Sequence, residues 1–115
     1  MNEEKQTLYV LWTTGDPVTA EKMVLMYTTN ALKFGWWEEV TLVIWGASAQ
    51  LVSENEAIQQ RLQAAQEAGV YVTACKACAD QLGVSEKLEA LGVDVQYLGI
   101  ALTNVLKNDE KLLTI

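Results

Sequence analysis

Apolar positions along the chain follow two alternating rhythms. Leu8, Tyr9, Val10, Leu11 and Trp12 form a short continuous run within Thr7–Thr13, and Val40–Trp45 and Val70–Ala74 repeat it. Runs of this length, rich in branched and aromatic residues, predict buried strands. Between the first two, Ala20, Met23, Val24, Tyr27, Ala31 and Phe34 recur at helical spacing. Asp16 is placed to cap that helix, with Pro17 at its first position and Gly35 ending it. After the second strand, Ala47–Val52 reads as a short helical turn. Ser53 with Glu56 then reads as a capping box opening a longer helix with Ile58, Leu62 and Ala65 on its apolar face and Gly69 at its end. Ser85–Leu91 predicts a further helix ended by Gly92, and Val93, Val95 and Tyr97 a fourth strand. Ile100–Lys107 predicts a last helix with Ala101, Leu102, Val105 and Leu106 inward, and Leu112–Ile115 an edge strand.

This alternation predicts one α/β domain over residues 1–115, a parallel sheet with helices on both faces. An α+β domain with one strand misread is the alternative. A length of 115 residues, half of them hydrophobic, suits a single core. The charge balance, 8 − 15 = −7, disfavours nucleic acid, since no basic cluster exists to displace counterions from a phosphate backbone. Histidine is absent. That excludes mechanisms that need an imidazole base and metal sites that need imidazole ligands. No run approaches the roughly 18–20 apolar residues of a membrane span. Met1, Asn2, Glu3, Glu4 and Lys5 lack the basic-then-apolar order of an export signal, so a cytoplasmic protein with reduced cysteines is expected.

Ligands of open parallel sheets collect outside the carboxyl ends of the strands. Four junctions there are candidates: Thr13–Asp16, Gly46–Ser48, Cys75–Lys76 and Gly99–Ile100. Neither Gly-x-Gly-x-x-Gly nor Gly-Lys-Ser/Thr occurs, so no cofactor is expected. Cys75 follows the third strand and begins a helix. A helix N-terminus favours the thiolate, and Lys76 adds a neighbouring positive charge. Against this stands the plainer reading of Cys75 as a small buried hydrophobe. Cys78 completes a C-x-x-C pair, which leaves three readings: a thiol–disulfide switch, a zinc site shared between subunits, or Cys75 as a single reactive thiol with Cys78 facing inward. The third is preferred, because the pair encloses Lys-Ala and further ligands are missing. Trp36 and Trp37 read equally well as a subunit contact or as cover for their own sheet edge. Glu38-Glu39 and Asp109-Glu110 read as solvated turns.

The stretch Gly69-Val70-Tyr71-Val72-Thr73-Ala74-Cys75, then Cys78-Ala79, Leu82-Gly83-Val84 and Gly92-Val93, resembles the DsrE/DsrF-like family of small sulfur-relay proteins. The likeness spans nearly the whole chain, including Trp45-Gly46 after the second strand. It implies a three-layer α/β/α sandwich with a mainly parallel, five-stranded sheet, flavodoxin-like in general layout. It further implies a persulfide held on Cys75 and passed to a partner thiol, sulfur donor and acceptor proteins, and a homo-oligomer, trimer or hexamer. Lys76 and Ala77 backbone donors, and Ser48 from the neighbouring junction, are expected to support the site. A carrier working on Cys75 alone tolerates Cys78→Ala, a disulfide switch does not. A non-enzymatic oligomeric module that binds a small anion or metabolite is the remaining alternative.

Overall fold

The computed structural model describes residues 6–115; the reading of Met1–Lys5 lies outside them. Five strands form one sheet: β1 Thr7–Trp12, β2 Glu39–Ile44, β3 Tyr71–Cys75, β4 Asp94–Gln96 and β5 Lys111–Thr114. Their order is β4-β3-β2-β1-β5, and every pairing is parallel. Helical segments α1 Pro17–Thr19 and α2 Met26–Lys33 flank a π-helical stretch, Ala20–Leu25. The remaining helices are α3 Ala47–Glu54, α4 Glu56–Glu67, α5 Lys76–Leu82, α6 Ser85–Ala90 and α7 Gly99–Lys107.

Strand order decides how the helices are shared between the faces. From β1 through β4 each connection steps the same way across the sheet, so right-handed crossovers put all the intervening helices on one face. The β4 to β5 connection runs back the other way, which puts α7 alone on the opposite face. Side-chain alternation shows the result. Leu8, Val10, Trp12, Val40, Leu42, Ile44, Val72 and Ala74 are buried against α1–α6, with Val24, Leu25, Ile58, Leu62 and Leu88 filling the layer between. Tyr9, Leu11, Thr41 and Val43 face α7 and stay half-buried. No residue of α7 itself is buried. Leu102 and Val105 point to the sheet and Ala101 lines the space beneath the helix, but Leu106, expected inward, is exposed. A single helix is too narrow to seal a five-stranded face.

Other departures have local causes. The stripe through Met23 and Phe34 breaks, since both are exposed, while Leu25 and Thr28 are buried. The π-helical stretch adds a residue to the turn, so the buried face rotates as it passes from Ala20 to Thr28. The cap of α4 is Asn55, whose side chain accepts from the Ile58 N–H at 3.1 Å, and not the Ser53–Glu56 box. Ser53 lies inside α3, where its hydroxyl donates to the Gln50 carbonyl. Its helix runs two residues further than expected, so the break falls at Asn55. Tyr97 lies past the end of β4 and is 71% exposed. Asp16 and Pro17 cap and open α1 as expected. Trp37 covers its own subunit, donating to the Tyr27 hydroxyl, while Trp36 stays exposed beside the Tyr27 and Phe34 rings. No helix among the described residues is long and apolar enough to cross a membrane.

Candidate functional site

The carboxyl ends of β2 and β3 lie side by side, with Ile44 in register with Ala74. Each strand turns at once into a helix, α3 after β2 and α5 after β3. Gly46 makes the first turn at φ +78°, a left-handed conformation that a side chain strains. Cys75 makes the second: it ends β3 and is the N-cap of α5. Gly83, at φ +71°, closes α5 in the same left-handed region. The packing of α3 on α5 then brings the two junctions together.

Cys75 is only 5% exposed. Its burial matches the plainer reading of this cysteine as a small buried residue, and a thiol at the strand end is not thereby open to solvent. Cys78, expected inward, is the outer of the two. It lies one turn along α5 and lines a surface depression of about 280 Å³ with Gly46, Ala47, Gln50, Gln81 and Leu82. Residues three apart on a helix share a face, so the two thiols are neighbours that act on each other. Burial and the neighbouring Cys75 push the Cys78 thiol up from its ordinary value, while the Gly46 backbone pulls the other way. Cys78 is therefore a protonated thiol at neutral pH.

The expected supporting residues are placed differently. Lys76 turns along its own helix to Asp80, Nζ to carboxylate 3.2 Å, and lies 5.8 Å from the centre of the Tyr97 ring. The Asp80 hydrogen bond raises its pKa, so the charge stays on but is shared with a carboxylate. Ser48 is fully buried. Its hydroxyl donates to the Trp12 carbonyl at 2.5 Å and accepts from the Trp45 N–H at 3.0 Å, tying the ends of β1 and β2. Sequence reasoning missed Gln50 and Gln81. Nothing in a lone glutamine on a helix marks it, since both reach the depression only through the packing of α3 on α5. A second cavity, about 290 Å³, lies between α7 and the sheet, walled mostly by Tyr9, Leu11, Val43, Leu102 and Val105. Neither cysteine lines it.

The chain aligns over 99% of its length with a solved structure of a conserved protein of unknown function from Bacteroides thetaiotaomicron, all of which is covered, at 36% identity and a TM-score of 0.95. The ychN protein from E. coli matches at 18% identity and a TM-score of 0.71, over 97% of this chain and 100% of that one. A protein of unknown function from Methanobacterium thermoautotrophicum matches over the same shares at 16% and 0.68. These last two show the fold alone. No curated protein matches the chain. The family model for DsrE/DsrF-like proteins matches residues 7–115, and the chain belongs to the DsrE/DsrF-like family, a family associated with sulfur relay.

Proposed function

We propose that this protein is a sulfur carrier that holds sulfane sulfur as a persulfide on its thiol pair and passes it to a thiol of a partner protein. The observation that carries the reading is the contact between Cys75 and Cys78 at the β3–α5 junction, one thiol enclosed and the other facing a depression. Persulfide transfer is thiol–disulfide exchange chemistry: a thiolate attacks the outer sulfur, and a thiol leaves. No imidazole is required if solvent or a neighbouring thiol takes the proton. An enclosed persulfide is shielded from reductants, which suits storage. The test is incubation of the reduced protein with a persulfide donor, followed by intact mass measurement. The expected result is one added sulfur atom, lost on reduction and localised to the pair; an unchanged mass overturns the reading.

The same contact favours a second reading, a Cys75–Cys78 disulfide switch. Mild oxidation then removes two hydrogens and adds no sulfur, so the mass change separates the two. The carrier is further proposed to work in the cytoplasm as a homo-oligomer, trimer or hexamer. The surface of α7 supports assembly: Ile100 is 80% and Leu106 58% exposed, on a helix with no buried residue. Exposed apolar residues clustered on one element mark interaction surfaces. Sedimentation of the wild type against Ile100→Lys tests this; a monomeric wild type overturns it.

A further inference from the structure

We infer that the two thiols act in series, with sulfur entering at Cys78 and then moving inward to Cys75. The inference rests on the carrier reading and assigns the order of events within it. Its basis is the difference in access. Cys75 is 5% exposed and is absent from the lining of the depression, whereas Cys78 forms part of that lining. Exchange at sulfur requires the incoming thiolate, the attacked sulfur and the leaving sulfur to meet, so the accessible thiol reacts first even though only its minor thiolate fraction attacks. A donor persulfide carried on a peptide or protein reaches Cys78 from solvent. It does not reach Cys75 without local opening of the β3–α5 junction.

Gly46 strengthens the assignment. Its backbone lowers the cost of charge on Cys78, which stabilises that sulfur as an anion during attack. Gly46 belongs to the same depression, so that backbone and the entry path coincide. Gln50 and Gln81 on the rim offer neutral amides to a donor's polar chain.

Both steps balance without an added oxidant or reductant. In the first, the Cys78 sulfur attacks the outer sulfur of the donor persulfide; a new S–S bond forms at Cys78, the donor S–S bond breaks, and the donor leaves as a thiolate that takes up the proton lost by Cys78. In the second, the Cys75 sulfur attacks the outer sulfur now on Cys78. An S–S bond forms at Cys75 and the one at Cys78 breaks. The proton lost by Cys75 passes to the neighbouring Cys78 sulfur that leaves. Cys78 is regenerated as a thiol, ready for release of the stored sulfur by the reverse path. An acceptor is then met by Cys78 as well, which confines partner contact to one surface.

The experiment uses the full chain and glutathione persulfide as the probe, with time-resolved intact mass and mapping of the alkylated peptides. Wild type is expected to carry sulfur first on Cys78 and then on Cys75. Cys75→Ala is expected to load and keep its sulfur on Cys78. Cys78→Ala and Cys78→Ser are expected to load Cys75 roughly tenfold slower or worse, because each donor must wait for local opening. Circular dichroism verifies that the variants are folded, and the serine variant preserves side-chain volume. Loading of Cys75 at the wild-type rate in either Cys78 variant overturns the relay while leaving the carrier reading intact. Failure of Cys75→Ala to take up sulfur also overturns it. A wild type that takes up none removes the carrier reading itself, and the relay with it.

Discussion

Ser48→Ala separates a structural from a functional role at the β2–α3 junction. The serine lies fully buried between two strand ends, and its hydroxyl makes a short bond to the Trp12 carbonyl and receives one from the Trp45 N–H. Removing it leaves neither backbone group alone, because the Trp45 N–H also donates to the Trp12 carbonyl at 3.1 Å. The loss is therefore that of an ordinary net hydrogen bond, about 1 kcal/mol, without the larger penalty of an orphaned polar group. Unfolding entropy near 2.1 cal/mol/K per residue, over 115 residues, gives about 0.24 kcal/mol/K, so the melting temperature is expected to fall by about 4 °C. Ser48→Val is expected to cost more, about 1–3 kcal/mol, through overpacking of a site with no free volume. Calorimetric melts measure both losses, and persulfide loading monitored by mass measures the function. Loading at 25 °C is expected to match the wild type in Ser48→Ala. A variant with an unchanged melting temperature and slowed loading refutes the reasoning, since the hydroxyl would then act on sulfur and not on the strand ends.

Three further outcomes follow from other parts of the structure. Asn55→Ala is expected to cost about 1 kcal/mol in urea unfolding through loss of the α4 cap, whereas Glu56→Gln shifts stability by less than about 0.5 kcal/mol, as a surface change does. Asp80 is held below the usual carboxylate range by the Ser85 hydroxyl and then by Lys76, so its contribution is present above the ordinary carboxylate pKa and is lost as pH falls through its lowered value. Asp80→Asn is accordingly expected to flatten the acid limb of the stability curve; an unchanged limb contradicts this. At Cys78 the sign reverses on the alkaline side: the folded state holds the thiol proton more tightly, so stability falls as pH rises from the ordinary thiol pKa through the raised value. Iodoacetamide labelling of Cys78 is expected to reach half-maximal rate at a higher pH than in the urea-unfolded chain, and an equal or lower midpoint contradicts the assignment.

Local chemistry was legible in the residues themselves. The apolar runs at Leu8–Trp12 and Val40–Ile44 place two strands, Asp16-Pro17 starts a helix, and Ile58, Leu62 and Ala65 mark the buried face of α4, since each signal depends on neighbours within a turn or two. The β3–α5 junction and its cysteine pair were legible for the same reason. Where a helix departed from regular geometry, as at Ala20–Leu25, the periodicity misled, because an apolar stripe is read by assuming 3.6 residues per turn.

Strand order is a different matter, for it is set by contacts between segments far apart in the chain. Placing β5 beside β1 and not beside β4 sends α7 alone to one face and all other helices to the opposite face. No local pattern encodes that choice. The same holds for which sulfur faces solvent. The spacing Cys75–Cys78 puts two thiols on one side of a turn, but only the tertiary packing buries the first and leaves the second lining a depression beside Gly46.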